Sequence, residues 1–243
     1  MKKENHSNLL HSLSKNEVHL WFATFSEIQD SSLKIESLLS SDEKERSQKY
    51  LRIKDQVSFS LSRGFLRSVL SVYLELSPQE IQFQYSQAGK PNLSHHSKEL
   101  FFNLSHSEGA LLIAVSLIPQ TGVDLEFIHH PVQWDLLAKK YFSESEIQFL
   151  MNENNLDAQK SFLKLWCLRE AYLKAKGTGI SEIDQSFTFE ISSSEIKAYG
   201  MKANEWHFKE LFYEEHVGAL AVQQSKILTT HFTFTDYLNL NYF

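Results

Sequence analysis

The stretch "ALLIAVSLIPQTGVDLEFI", residues 110–128, holds two extended patterns separated by a break, and its reading decides the fold. Its first part, "ALLIAVS" (110–116), is a short apolar run of strand length. "LIPQTG" then carries Pro119 and Gly122, residue types that interrupt regular structure and favour turns. The last part alternates, so Val123, Leu125 and Phe127 fall on one face of a strand and Asp124 and Glu126 on the other. No lysine or arginine separates the two carboxylates. They are either the wet face of an amphipathic strand or a pair of donors for one cation, because residues i and i+2 stand about 6.6 Å apart and point the same way. Magnesium suits such a pair, since it takes oxygen ligands at about 2.0–2.1 Å and usually binds through one or two carboxylates plus phosphates.

Upstream, "HLWFATF" (19–25) reads as a strand, and Ser40 with Glu43 at capping-box spacing opens a helix. A long helix is expected over 57–74, where Val57, Leu61, Phe65, Val69 and Tyr73 share one face. Strands follow at 81–86 and 100–104. Downstream the arrangement repeats: a helix near "WDLLAKKYF", a second capping box at Ser143 and Glu146, and a long helix over 157–176. Glu146 is expected at the surface. Strands are then read at 186–191, 206–212, 218–224 and 231–237. Helices plus mostly hairpin-linked strands in both halves make the class α+β, with two closely packed subdomains, 1–118 and 119–243.

Composition narrows the function classes. A chain of 243 residues with 42% hydrophobic content can bury one large core or two small ones. With 24 basic against 30 acidic residues the net charge is −6, which argues against a nucleic-acid partner. One cysteine, Cys167, excludes an internal disulfide and fits a reducing compartment. The N-terminal residues lack a secretory apolar core, and no run approaches the roughly 18 apolar residues of a membrane span, so a cytoplasmic protein with no membrane partner is expected. There is no P-loop, G-x-G-x-x-G, G-x-S-x-G or H-E-x-x-H. The pairs His95/His96 and His129/His130 read as loop residues without a role.

Two further segments carry chemistry. In "SFLKLWCLREAYLKAKGTGI" (161–180), Trp166, Glu170 and Lys174 sit four apart along one side of a helix. This is either a stabilising Glu-to-Lys pair beside a buried tryptophan, or a metal ligand and base with a lysine facing phosphate. "AGKPNL" and "FFNLSHSEGA" present Lys90, Asn103, Ser105 and His106 in turns and strand ends, again solvated or structural unless something brings them together.

Taken in order, "GKP", "FNLSHS", "GVDLE" and "WCLREAYLKAKGTGI" resemble the 4′-phosphopantetheinyl transferases of the Sfp type, over about residues 36–190. The resemblance implies a pseudo-twofold monomer of two similar α+β halves with coenzyme A in the cleft between them. It implies that Asp124, Glu126 and Glu170 hold Mg²⁺ against the diphosphate. Lys90, Asn103, Ser105 and His106, with Arg46 from the first helix, would surround the adenosine 3′-phosphate. Lys174 would lie near the diphosphate, and Glu170 would be the base for the serine of an apo acyl- or peptidyl-carrier protein. The family's lysine before that glutamate is Arg169 here, a planar fork in place of a compact ammonium, a change that rearranges any direct phosphate contact at this position. The region beyond about 190 matches no motif. The carrier is expected to dock on "DLLAKKYFSESEIQFL" (135–150), where Lys139 and Lys140 stand beside Leu136, Leu137, Tyr141 and Phe142. Competing readings are a metal-dependent nuclease or phosphodiesterase, disfavoured by the acidic charge balance, and a non-catalytic coenzyme A or carrier-protein module, disfavoured by the complete carboxylate set.

Overall fold

The computed structural model describes residues 13–31, 33–86, 89–94, 99–192, 196–200 and 202–240. His95 and His96, and the first residues on which the leader reading rests, lie outside them. Packing divides the chain into two units, one of residues 1–117 with 228–243 and one of residues 118–227.

In the first unit β1 (Glu17–Thr24) is followed by α1 (Phe25–Asp30), α2 (Ile35–Leu38), α3 (Ser41–Gln48) and the long α4 (Ile53–Leu74). Then come β2 (Phe83–Tyr85), β3 (Pro91–Leu93) and the hairpin of β4 (Phe101–Ser107) and β5 (Ala110–Ser116). The second unit runs β6 (Thr121–Phe127), α5 (Trp134–Tyr141), α6 (Glu144–Met151) and the long α7 (Asn155–Lys176). It ends with β7 (Thr188–Ile191), β8 (Ile196–Tyr199) and the hairpin of β9 (His207–Tyr213) and β10 (His216–Val222). β11 (Leu228–Thr233) and α8 (Phe234–Asn239) then return to the first unit.

The two units repeat one plan. Each opens with a strand, passes through short helices to a helix of 22 residues, makes a two-stranded ladder, and closes with a hairpin whose second strand pairs antiparallel with the opening strand. The larger sheets are ordered β11-β1-β5-β4 and β6-β10-β9. The expected division at 118/119 keeps everything after 119 together, but the packing moves the last strand and helix to the first unit. The reason is the parallel ladder of β11 on β1, from Glu17↔Leu228 to Phe22↔Thr233.

Other differences have local causes. α4 begins at Ile53, earlier than the apolar period suggests, because its first turn is exposed and carries no core face. The expected strand 231–237 stops at Thr233, which caps α8: the Thr233 N–H donates to Asp236 Oδ2 at 2.7 Å and Asp236 N–H to Thr233 Oγ1 at 3.3 Å. β3 and β8 span three and four residues and are only partly buried, too short to show a period. No helix among the described residues is long and apolar enough to cross a membrane.

A buried polar relay ties the first unit's long helix to its sheet. Trp21 Nε1 donates to the Tyr73 hydroxyl at 2.8 Å, and that hydroxyl lies 2.8 Å from His19 Nδ1. The other ring nitrogen of His19, Nε2, faces Glu17 Oε1 at 3.4 Å, so the imidazole bridges the Tyr73 hydroxyl and the Glu17 carboxylate. From β11, Phe232 stacks on Trp21 with ring centroids 4.4 Å apart, and Thr230 donates to Glu17. Burial holds His19 below its ordinary 6.5, with Glu17 pulling the other way. A depressed histidine stabilises the fold above its unfolded value and loses that contribution as pH falls through the folded one. The melting temperature should therefore fall on acidification from pH 7 through the range below 6.5, and His19→Gln should flatten that part of the profile, as read by thermal melts across pH.

Candidate functional site

In the second unit, β6 does not present its acidic side chains to water. The face bearing Gly122 and Asp124 is the one on which α7 lies: a Cβ built on Gly122 would stand 2.1 Å from Ala171 O and 2.4 Å from Ala175 N. Glycine on the strand and alanines on the helix let the two backbones approach, with Ala219 and Ala221 of β10 continuing the small-residue surface. Asp124 is 3% exposed beneath the helix, and Glu126, farther along the strand, is partly exposed. Val123 and Leu125 on the opposite face are buried too. An alternating pattern here marks two buried faces rather than an inner and an outer one.

The close approach brings Lys174 Nζ to 2.6 Å from Asp124 Oδ1. Burial alone would pull the Lys174 ammonium down; the Asp124 carboxylate, with Glu170 behind it, outweighs burial and holds it above its ordinary range. Burial, then the charge of Asp124, pushes Glu170 up, while Lys174 pulls it down. Cys167, one turn before Glu170, is held well above the ordinary thiol range by burial and by the carboxylates of Asp124 and Glu126. Its Sγ donates to Val217 O at 3.5 Å, and such a thiol is inert. Asp124, Glu170 and Lys174 thus form one electrostatically coupled group, and Glu126 acts with Asp124 on Cys167 at its edge. Among the described residues, no three His, Cys, Asp or Glu side chains are drawn together tightly enough to hold a metal ion. Trp166 is partly buried, stacked on Phe162 and edge-on to Tyr141 of α5.

Arg169 does not face this group. Its fork takes both oxygens of Glu146, Nη1 to Oε1 at 2.8 Å and Nη2 to Oε2 at 2.7 Å, and Nη2 also donates to Phe187 O at 3.0 Å. Glu146, expected at the surface, is buried: it also accepts from Phe189 N–H at 2.9 Å and from Ser143 N–H at 2.8 Å. One carboxylate therefore joins the start of α6, the middle of α7 and β7. The capping-box spacing of Ser143 and Glu146 was legible, but a box formed by a buried glutamate is indistinguishable in sequence from an exposed one.

In the first unit Arg46, Asn103 and His106 line a cavity of about 200 Å³, together with Arg63, Phe59 and Tyr50. Lys90 stands one residue before Pro91 of the same wall, is partly buried, and is held below the usual lysine range by that burial. Ser105 is buried on the other face of β4 from His106. Arg63 is absent from the sequence-based set, although an arginine inside the apolar run "FSLSRGFLR" was a usable signal.

Of the residues expected to meet a partner, Leu136 is 57% exposed and Lys139 and Lys140 are exposed on α5. Leu137 and Tyr141 are partly buried, and Phe142 is buried, stacked on Phe162 at 5.2 Å. The usable surface is therefore narrower than the expected stretch.

The 4′-phosphopantetheinyl transferase superfamily matches residues 120–227, and the 4′-phosphopantetheinyl transferase N-terminal family matches residues 23–117. The chain is 34% identical over 214 residues to the 4′-phosphopantetheinyl transferase HetI of Nostoc sp., covering 86% of this chain and 89% of that one. It is 27% identical over 160 residues to the 4′-phosphopantetheinyl transferase Sfp of Bacillus subtilis, covering 66% and 70%. It is also 27% identical over 172 residues to the 4′-phosphopantetheinyl transferase gsp of Aneurinibacillus migulanus, covering 70% of each. The chain belongs to the 4′-phosphopantetheinyl transferase superfamily.

Gly122 is a sharp handle on this geometry. In Gly122→Ala the added methyl meets backbone atoms of α7, which cannot swing aside, so strand and helix must separate. Stability should fall by about 1–3 kcal/mol or more, the usual cost of overpacking, and Asp124 should lose Lys174. Denaturant melts measure the first; an NMR titration of the Lys174 ammonium, falling back toward the ordinary lysine range, measures the second.

Proposed function

We propose that this protein transfers the 4′-phosphopantetheine group of coenzyme A to a serine hydroxyl of an apo acyl- or peptidyl-carrier protein, releasing adenosine 3′,5′-bisphosphate. The observation that carries this reading is the close strand–helix contact at Gly122, which brings Lys174 to 2.6 Å from Asp124 with Glu170 beside them, in a chain of this superfamily. The nucleophile belongs to the partner, consistent with a thiol that is buried and inert.

Asp124, Glu126 and Glu170 offer oxygen donors only, and burial together with the charge of Asp124 raises Glu170, a pressure that a divalent cation relieves, so in donor chemistry these residues fit Mg²⁺, which would have to draw the three side chains together. When bound, the ion would neutralise charge on the diphosphate and align it. Lys174 would then give up Asp124 Oδ1 and turn its ammonium to the diphosphate, where it steadies the departing oxygen. Glu170 accepts the proton of the carrier serine, directly or through water. The serine oxygen bonds to the β-phosphorus as the bridging P–O bond breaks, and the bridging oxygen leaves with adenosine 3′,5′-bisphosphate. Positioning and charge compensation carry most of the rate in such a displacement. Arg46, Lys90, Asn103, Ser105 and His106 are assigned to the adenosine 3′-phosphate: Arg46, Asn103 and His106 line the first unit's cavity and Lys90 precedes Pro91 of its wall, while the assignment of Ser105, buried on the other face of β4 from His106, rests on the family resemblance alone. One chain carries both repeats, so a monomer acting in the cytoplasm is the form proposed.

The carrier is placed on α5, where Leu136, Lys139 and Lys140 offer an apolar contact flanked by positive charge to an acidic helix.

The test incubates the protein with coenzyme A, Mg²⁺ and a panel of apo-carriers and reads the added mass of each carrier. Glu170→Gln keeps shape and hydrogen bonding, so its melting should change little, Asp124→Asn should melt lower because Lys174 loses its counter-charge, and in both transfer should fall by at least about a hundredfold, beyond what the melting shift accounts for. Near-normal turnover by either variant would remove that residue from the catalytic set. Lys139→Glu with Lys140→Glu should raise KM for the carrier at low salt, less at high salt, and leave KM for coenzyme A unchanged, because exposed lysines act on encounter more than on stability.

A further inference from the structure

Arg63 and Arg67 stand four residues apart on α4, both buried, yet only one is fully employed. Arg67 donates from Nε to Glu43 Oε2 at 2.6 Å and from Nη1 to the carbonyls of Pro78 and Ile81 at 2.7 and 2.8 Å. Arg63 is 7% exposed and forms part of the wall of the first unit's cavity. Its Nη1 is buried with no hydrogen-bond partner among the described residues. A buried cationic donor left without an acceptor is costly, and proteins keep such groups where something else supplies the acceptor.

The surroundings say what that acceptor is. The guanidinium of Arg63 lies over Phe59 and Tyr85 at 5.5 and 5.7 Å, and Arg46 lies 5.5 Å from each of the same two rings. Two positive forks thus share one aromatic support. Among the described residues the cavity wall also contains His106 and no carboxylate. Burial, reinforced by the neighbouring charge of Arg46, disfavours the Arg63 cation, whereas Tyr85 and Glu43 partly offset it. An anion entering the cavity would relieve all of these at once, and a doubly charged phosphate monoester matches a guanidinium fork best.

We propose that Arg63 is the specificity-determining residue for the 3′-phosphate of the phosphopantetheine donor, donating from Nη1 at the buried wall while Arg46 and His106 act from the exposed rim. This rests on the reading of coenzyme A as donor. Arg46 and His106 are exposed, so solvent and salt screen them. Arg63 is not screened in this way, and discrimination between phosphorylated and unphosphorylated ribose falls chiefly to it.

The experiment measures calorimetric binding of adenosine 3′,5′-bisphosphate and adenosine 5′-monophosphate, without carrier or metal, to the wild-type protein and to Arg63→Met, Arg63→Lys and Arg46→Met. The wild type should prefer the bisphosphate. Arg63→Met should lose on the order of ten- to a hundredfold in affinity for the bisphosphate and little for the monophosphate. Arg63→Lys should recover part of the loss, and Arg46→Met should lose less than Arg63→Met at moderate salt. Methionine fills the arginine volume without a buried charge, so folding should survive, as a thermal melt checks. If Arg63→Met kept the preference, or weakened both nucleotides equally, the proposal would be overturned. A wild type that bound neither nucleotide would instead overturn the donor reading beneath it.

Discussion

In each unit a buried glutamate caps a short helix and takes an arginine from the long one. Glu43 does so for Arg67 and Glu146 for Arg169, and each arginine stands fourteen residues beyond the first residue of its 22-residue helix. Each arginine also donates to backbone carbonyls at the entry to the small two-stranded ladder, Pro78 and Ile81 in one unit and Phe187 in the other. Removing one partner of such a pair leaves an uncompensated buried charge, a loss of about 3–5 kcal/mol. In the second unit the pair fixes the long helix from its far side, so that Cys167, Glu170, Ala171 and Lys174 face β6. The functional group depends on a bond that none of its members makes.

The repeat shows what changed between the halves. Trp21 on β1 and Asp124 on β6 occupy matching rungs, each paired with the residue three beyond the start of the hairpin's second strand, Ile113 and Ala219. Trp21 donates to Tyr73 near the end of its long helix, and Asp124 accepts from Lys174 near the end of its own. The backbone plan is common to both. In one copy the strand-to-helix link is made of an indole and a phenol and is fully buried; in the other it is made of ions, and Lys174 keeps part of its surface exposed.

Much of this was legible from residues. Both capping boxes, the two long helices, the hairpins and the carboxylate strand follow from spacing alone, since periodicity and caps are local properties. What escaped was set by distant partners. The acidic face of β6 reads as wet because alternation cannot distinguish water from a helix laid across Gly122. Glu146 and Arg169 sit 23 residues apart, and neither carries a local sign of the other. Arg63 hides in an apolar run whose other members are core. Phe142 looks like a partner-facing aromatic until Phe162, on another helix, covers it.

The parallel ladder of β11 on β1 makes the second unit, in topological terms, an insertion into the first. During synthesis β1, β5 and the long helix α4 leave the ribosome early, but the strand that covers the outer edge of β1 follows only after all of residues 118–227. Until then β1 has an open edge, and the stacking of Trp21 on Phe232 and the Thr230 bond to Glu17 cannot form. The nascent first half is therefore a sheet waiting for its last strand, with an edge open to pairing with other chains until that strand arrives. Any cut between the units leaves the N-terminal fragment without its closing element, whereas a cut on both sides of 118–227 would respect the architecture.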